Sequence, residues 1–167
     1  MSASTHVVVL GAMGVGKTTT GAALAAELGW NHVDSDVDLE RLTGCSGADF
    51  AAEHGVHALH ELEAAVLLGA LSADEPAVIS AAASTVENGL VRELLPRRAV
   101  VVRLVLSPSA TLERQAKGTH RRPMAEEELV RLAEGREPFF SMLEDLRLDA
   151  TLSTEALVAA IVDHLRT

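Results

Sequence analysis

The sequence predicts an α/β fold, a five-stranded parallel sheet covered by helices on both faces. Short apolar runs alternate with stretches of helical periodicity along the chain. The first run, His6–Leu10, leads into Gly11-Ala-Met-Gly-Val-Gly-Lys-Thr18 and then into an Ala- and Leu-patterned helix. With 167 residues the chain has the size of one domain, and its 48% hydrophobic content can fill a core. Only 2% of residues are aromatic, so that core must be built from Ala, Val and Leu.

In chain order, His6–Leu10 reads as a buried strand and Lys17–Leu28 as a helix stopped by Gly29. Asn31–Asp34 is a short second strand. Helices are expected over Val37–Leu42, ended by Gly44, then near Gly47–Glu53 and over His57–Leu71, with Gly55 between them. Ala77–Ser80 is a third strand, followed by a helix over Val86–Leu94, and Ala99–Leu106 is a fourth, Val-rich strand. Ser107-Pro108 caps and opens a further helix. Lys117–Met124, with two arginines, a Gly and a Pro, reads as a flexible loop. Glu126–Leu143 is helical with a break expected near Pro138; Leu146–Thr151 is the last strand and Thr154–Leu165 a closing amphipathic helix. In such sheets ligands bind outside the carboxyl ends of the strands, here Leu10, Asp34, Ser80 and Leu106.

The segment Gly11–Thr18 is Gly, four residues, then Gly-Lys-Thr, a P-loop pattern between a strand and a helix. Its backbone amides, from Gly11, Ala12, Met13, Gly14, Val15 and Gly16 into Thr18 and Thr19, can cradle a phosphate chain against the start of a helix. Lys17 would reach the outer phosphates and the Thr18 hydroxyl would ligate Mg²⁺. A nucleoside triphosphate is therefore the expected ligand.

The charge balance is acidic, 14 Lys+Arg against 24 Asp+Glu, which argues against nucleic acid as the main partner. Cys45 is the sole cysteine, so no internal disulfide can form, and a reducing cytoplasm is the expected compartment. The N-terminus lacks a signal-like segment and no apolar run approaches spanning length, so no membrane partner is expected. A monomer acting on a small molecule fits these totals.

Two carboxylates, Asp34 and Asp36, leave the second strand. Phosphoryl transfer to an alcohol needs one such group near Mg²⁺ and one to orient the hydroxyl and accept its proton. An acidic helix cap, for which Asp36 is a candidate, is an equally good account of the pair taken alone. An arginine from Arg121-Arg122-Pro123 could swing over the transferring phosphoryl group, or the loop could simply be a solvated basic stretch. Arg114 could stack on adenine or pair with surface acids. His54, His57 and His60 stand three apart, which covers one helical face only loosely, and no HExxH pattern accompanies them.

These residues resemble the shikimate kinases. GAMGVGKTTTGAALAAEL, VDSDVDLE, TGCSGAD, a Gly-led helix ending in HELE, VIS, RRPM and GREPFF occur in that family's order over about residues 6–150. The resemblance implies a nucleoside-monophosphate-kinase-like P-loop fold in a single domain, with an acceptor-binding helical insert over about 37–72 and a lid over about 117–126. It implies ATP and Mg²⁺ as cosubstrates and transfer of the γ-phosphate to a hydroxyl of a small carboxylated ring. By resemblance Lys17 and Thr18 are the P-loop positions, Asp34 the carboxylate near Mg²⁺ and Asp36 the one that holds the acceptor hydroxyl. Likewise Glu63 is the acid of the acceptor-side helix, Arg122 the lid arginine, Arg114 the adenine contact and Arg136 the arginine for the acceptor's carboxylate.

The departures from the family pattern lie on the acceptor side. His60 replaces a second carboxylate-binding arginine, and it is shorter and cannot make a bidentate fork. Losing one charge-assisted contact costs roughly 1.5–3 kcal/mol. Ala81-Ala82-Ala83 replace three glycines, and their methyls are expected to crowd a ring lying against that loop. Phe140 and Met142 replace a tyrosine and a glutamate. Shikimate is thus the nominal acceptor, with another ring alcohol, such as an antibiotic-like one, or nucleotide binding without transfer as the alternatives.

Overall fold

A computed structural model describes residues 5–117 and 125–167. The elements are β1 (His6–Leu10), α1 (Lys17–Leu28), β2 (Asn31–Asp34), α2 (Ser35–Thr43), α3 (Gly47–His54), α4 (Val56–Leu71), β3 (Ala77–Ser80), α5 (Gly89–Arg98), β4 (Ala99–Val105), α6 (Pro108–Lys117), α7 (Glu126–Leu143), β5 (Leu146–Asp149) and α8 (Thr154–Arg166). The strands run in the order β2-β3-β1-β4-β5, and every neighbouring pair is parallel. All carboxyl ends therefore lie along one rim. Arg121 and Arg122 of the expected lid lie outside the described residues.

β1 is buried along its whole length because helices cover both its faces. Its alternate side chains feed two cores, as the period of a strand requires. Val8 and Leu10 pack with Leu67 and Leu71 of α4, Val91 and Leu95 of α5, and Phe140 and Leu143 of α7. Val7 and Val9 pack with Leu24 of α1 and with Leu157 and Ile161 of α8. The central strand thus has no polar face to spend, and its first functional residue comes only after Leu10.

Three helices differ from expectation: α2 starts at Ser35, two residues early, and α5 and α7 depart further. α5 begins at Gly89, because the Asn88 side chain accepts the amides of Leu90 and Val91 and caps it there. The residues before it, Ala83–Glu87, form one 3₁₀ turn. α7 runs unbroken through Pro138. An interior proline costs about 3 kcal/mol, and contacts on both sides of it hold the helix against that cost.

Those contacts come from arginines on neighbouring elements. Arg103 of β4, 8% exposed, donates to Glu137 at 2.6 and 3.0 Å and to Glu144 at 3.3 Å. Its guanidinium also lies 4.4 Å from the Phe140 ring centroid. Arg92 of α5 stacks over Phe139 at 4.3 Å. The sequence Arg136-Glu-Pro-Phe-Phe140 is therefore gripped at Glu137, Phe139 and Phe140, which sets the angle at which Arg136 leaves the helix.

The Arg103 hydrogen bonds pull the Glu137 carboxyl down to about 2. A depressed carboxyl contributes stability that is present above its unfolded value and lost as pH falls through the folded one. Wild-type protein should lose stability between about pH 4.5 and 2, and Glu137→Gln should lose less over that window in urea titrations. Arg103→Ala leaves Glu144 paired with Arg147 alone, at 2.9 Å, and, as the loss of charge-assisted hydrogen bonds from a side chain that is itself 8% exposed, should cost roughly 1.5–3 kcal/mol.

Candidate active site

The loop Gly11–Gly16 takes its shape from glycine. Gly16 ends it at φ 103°, in the left-handed region, and caps α1 without a side chain. That leaves the first-turn amides of α1 to a bound anion. Gly11 lies so close to β4 that a Cβ there would meet the Leu104 carbonyl oxygen at 2.6 Å and Val15 Cγ1 at 2.7 Å. Lys17 Nζ donates to the carbonyls of Gly11 at 2.8 Å and Ala12 at 3.2 Å within the same loop. Thr18 and Thr19 stand exposed on the first turn of α1.

The loop is braced from α6. Arg114 donates to the carbonyls of Val15 and Ala150, both at 2.9 Å, and Gln115 Nε2 donates to that of Met13 at 3.1 Å. Arg114 is thus a brace between the loop and the turn after β5, where sequence had offered adenine stacking or pairing with surface acids. Gln115 belongs to no sequence motif, and only the fold brings it to the loop.

Asp34 closes the second strand beside this loop. Its Oδ1 accepts the amides of Asp36 at 2.9 Å and Val37 at 3.3 Å, capping α2, and its Oδ2 accepts the Thr18 hydroxyl. The cap is therefore Asp34 and not Asp36, which explains why α2 starts at Ser35, ahead of Val37. Asp36 stands exposed on the first turn of α2.

Glu63 of α4, expected on the acceptor side, lies within the field of several of the other expected site residues. Its carboxyl is pushed up to about 7, chiefly by burial, and the charges of Asp36, Arg136 and Lys17 all act on it. Ser84 Oγ donates to it at 3.2 Å. Of the alanine triplet, Ala81 is fully buried and Ala83 is 9% exposed, both within the core beneath α4 and α5. Only Ala82 has appreciable surface, and with φ −64° and ψ 142° it needs no glycine. The expected crowding by three methyls thus reduces to one, because the chain leaves β3 extended and turns the other two inward.

Arg136 and His60 come together as expected, but around a third group. Arg136 Nε donates to Glu87 Oε1 at 3.2 Å, and His60 Nδ1 lies 3.8 Å from Glu87 Oε2. Burial and the Arg136 charge hold the His60 pKa below its ordinary value, although Glu87 opposes them. Glu87 was missed because the segment read as helix from Val86. Asn88, a good cap residue, was the available signal: it puts Glu87 in the connection after β3, at the rim where ligands bind.

Glu63→Gln should remove a titration that opposes folding. Since the folded carboxyl titrates above the unfolded one, wild-type stability falls as pH rises from about 4.5 to 7 and then levels off. Relative to wild type, the variant should gain on the order of 2 kcal/mol across that interval, read by urea unfolding at both ends.

Comparison with known proteins identifies the family. The sequence model of the family described as "Shikimate kinase" matches residues 13–166. The chain is 32% identical to a shikimate kinase of Symbiobacterium thermophilum over 168 aligned residues, covering 96% of each. It is 33% identical to one from Enterococcus faecalis, covering 96% of this chain and 98% of the relative. The structure of shikimate kinase from Acinetobacter baumannii in complex with shikimate superposes with a TM-score of 0.87 at 25% identity, over 98% of this chain and 94% of that one. The chain belongs to the shikimate kinase family, ATP- and Mg²⁺-dependent phosphotransferases that act on a hydroxyl group.

Proposed function

We propose that this chain transfers the γ-phosphate of ATP to a ring hydroxyl of a small carboxylated acceptor, and that the acceptor is shikimate. The observation that carries this is the Thr18–Asp34 hydrogen bond. It joins the phosphate loop to the strand end that supplies the carboxylates, so donor and acceptor chemistry share one rim of the sheet. Arg136 supports a carboxylate on the acceptor, and a single partly exposed methyl at Ala82 supports a ring fitting beside β3.

The roles follow from the side chains. The amides of Gly11–Thr18 and Thr19, with Lys17, hold the phosphates, and Arg114 keeps the loop in shape within reach of the adenine. Thr18 and Asp34 offer an all-oxygen donor set with few protein ligands, which suits a hard cation shared with phosphate oxygens. Mg²⁺ held there would supply charge neutralisation on those oxygens. Asp36 orients the acceptor hydroxyl and takes its proton. Glu63, whose carboxyl is pushed up to about 7, completes the acceptor wall with His60 and the Ala81–Ala83 turn. Arg122, from the lid over about 117–126, neutralises charge on the group in flight, and the helices over about 37–72 form the acceptor subdomain. The acidic surface and lone thiol support a cytoplasmic monomer acting on a small molecule.

ADP release in the presence of shikimate tests the assignment. Asp36→Asn should lower kcat by about 10²–10⁴ while ATP binding stays. ADP formation that needs no acceptor, and that Asp36→Asn leaves unchanged, would contradict it.

A further inference from the structure

We infer that Glu87 is a specificity-determining residue, a resident carboxylate that occupies Arg136 and that the acceptor's own carboxylate must displace. This rests on the acceptor binding through Arg136. The contact is built and not a chance surface pair. The Arg136 side chain is only 13% exposed, and Glu87 is held opposite it by its own backbone. Arg92 Nη1 donates to the carbonyls of Val86 at 2.9 Å and Glu87 at 2.7 Å, while its guanidinium stacks on Phe139, three residues beyond Arg136. Asn88 caps α5 immediately afterwards, which fixes the direction of the turn. One arginine thus ties the Glu87 backbone to the same stretch of α7 that presents Arg136.

The charge around this contact decides its consequence. Arg136 and Glu87 neutralise one another, and His60, with its pKa held down, adds no lasting positive charge near pH 7. An incoming carboxylate therefore meets a pair already satisfied, with Glu63 and Asp36 close by. To bind, it must take over the Arg136 hydrogen bond. The Glu87 side chain, 42% exposed, can give way toward solvent at small cost. His60 Nδ1, on the other side of the Glu87 carboxylate, lies beyond hydrogen-bond length and does not hold it in place. Glu87 keeps Arg136 oriented before the acceptor arrives, and it weakens every acceptor that uses that arginine by making it compete.

Glu87→Gln keeps the shape and removes the charge, and it is compared with Glu93→Gln, which removes an equal charge from the exposed face of α5. With shikimate, Glu87→Gln should lower KM and the calorimetric Kd roughly tenfold, with a much smaller change in kcat, and Glu93→Gln should change neither. With the carboxamide analogue of shikimate, which has no anion to compete, Glu87→Gln should bring no such gain. Shikimate turnover by wild type with KM unchanged or raised in Glu87→Gln would overturn the role of Glu87 and leave the acceptor assignment standing. Equal gains for shikimate and its carboxamide would also overturn it. Failure of wild type and both variants to bind or phosphorylate shikimate would overturn the acceptor assignment, and the inference with it.

Discussion

One side chain holds the two halves of the site together. Asp34 spends one oxygen capping α2 and the other accepting the Thr18 hydroxyl, so the phosphate loop and the start of α2 meet at a single carboxylate. The parallel sheet makes this meeting possible, since β1 and β2 both deliver their carboxyl ends to the same rim, with β3 between them. Because Asp34 does the capping, Asp36 stands one residue into α2, on an exposed helical turn.

The acceptor side depends on a second set of constraints, centred on α7. Arg103 holds Glu137 and lies against Phe140, while Arg92 stacks on Phe139 and grips the turn before α5. These contacts carry the helix through Pro138 and fix where Arg136 points. Arg136 therefore meets Glu87 as a consequence of core packing, and the competition between Glu87 and an acceptor carboxylate is a property of the fold. In the proposed site, where His60 stands in place of the family's second arginine, Arg136 alone would serve both carboxylates.

The nucleotide side of this arrangement was legible in the sequence, because phosphate binding by backbone amides demands glycine at set spacing and leaves a motif. β1, α1, β2 and β3 begin and end where Leu10, Gly29, Asp34 and Ser80 implied. The acceptor side was legible only in outline. Composition at Pro138 argued for a break, and only tertiary contacts with Arg92 and Arg103 explain why there is none. The three alanines looked equivalent in one dimension, but the turn buries two of them and leaves one at the surface. Glu87 has no motif at all, and its importance comes from residues nearly fifty positions away in the chain. Asn88 could have exposed it, since a cap marks where a helix begins and so which residue stands outside.

The most direct test of this account is a crystal structure with Mg²⁺, a non-hydrolysable ATP analogue and shikimate. It should show the shikimate carboxylate hydrogen-bonded to Arg136, Glu87 turned away, and one ring hydroxyl between Asp36 and the γ-phosphate. Shikimate bound elsewhere, with Glu87 still on Arg136, would contradict it.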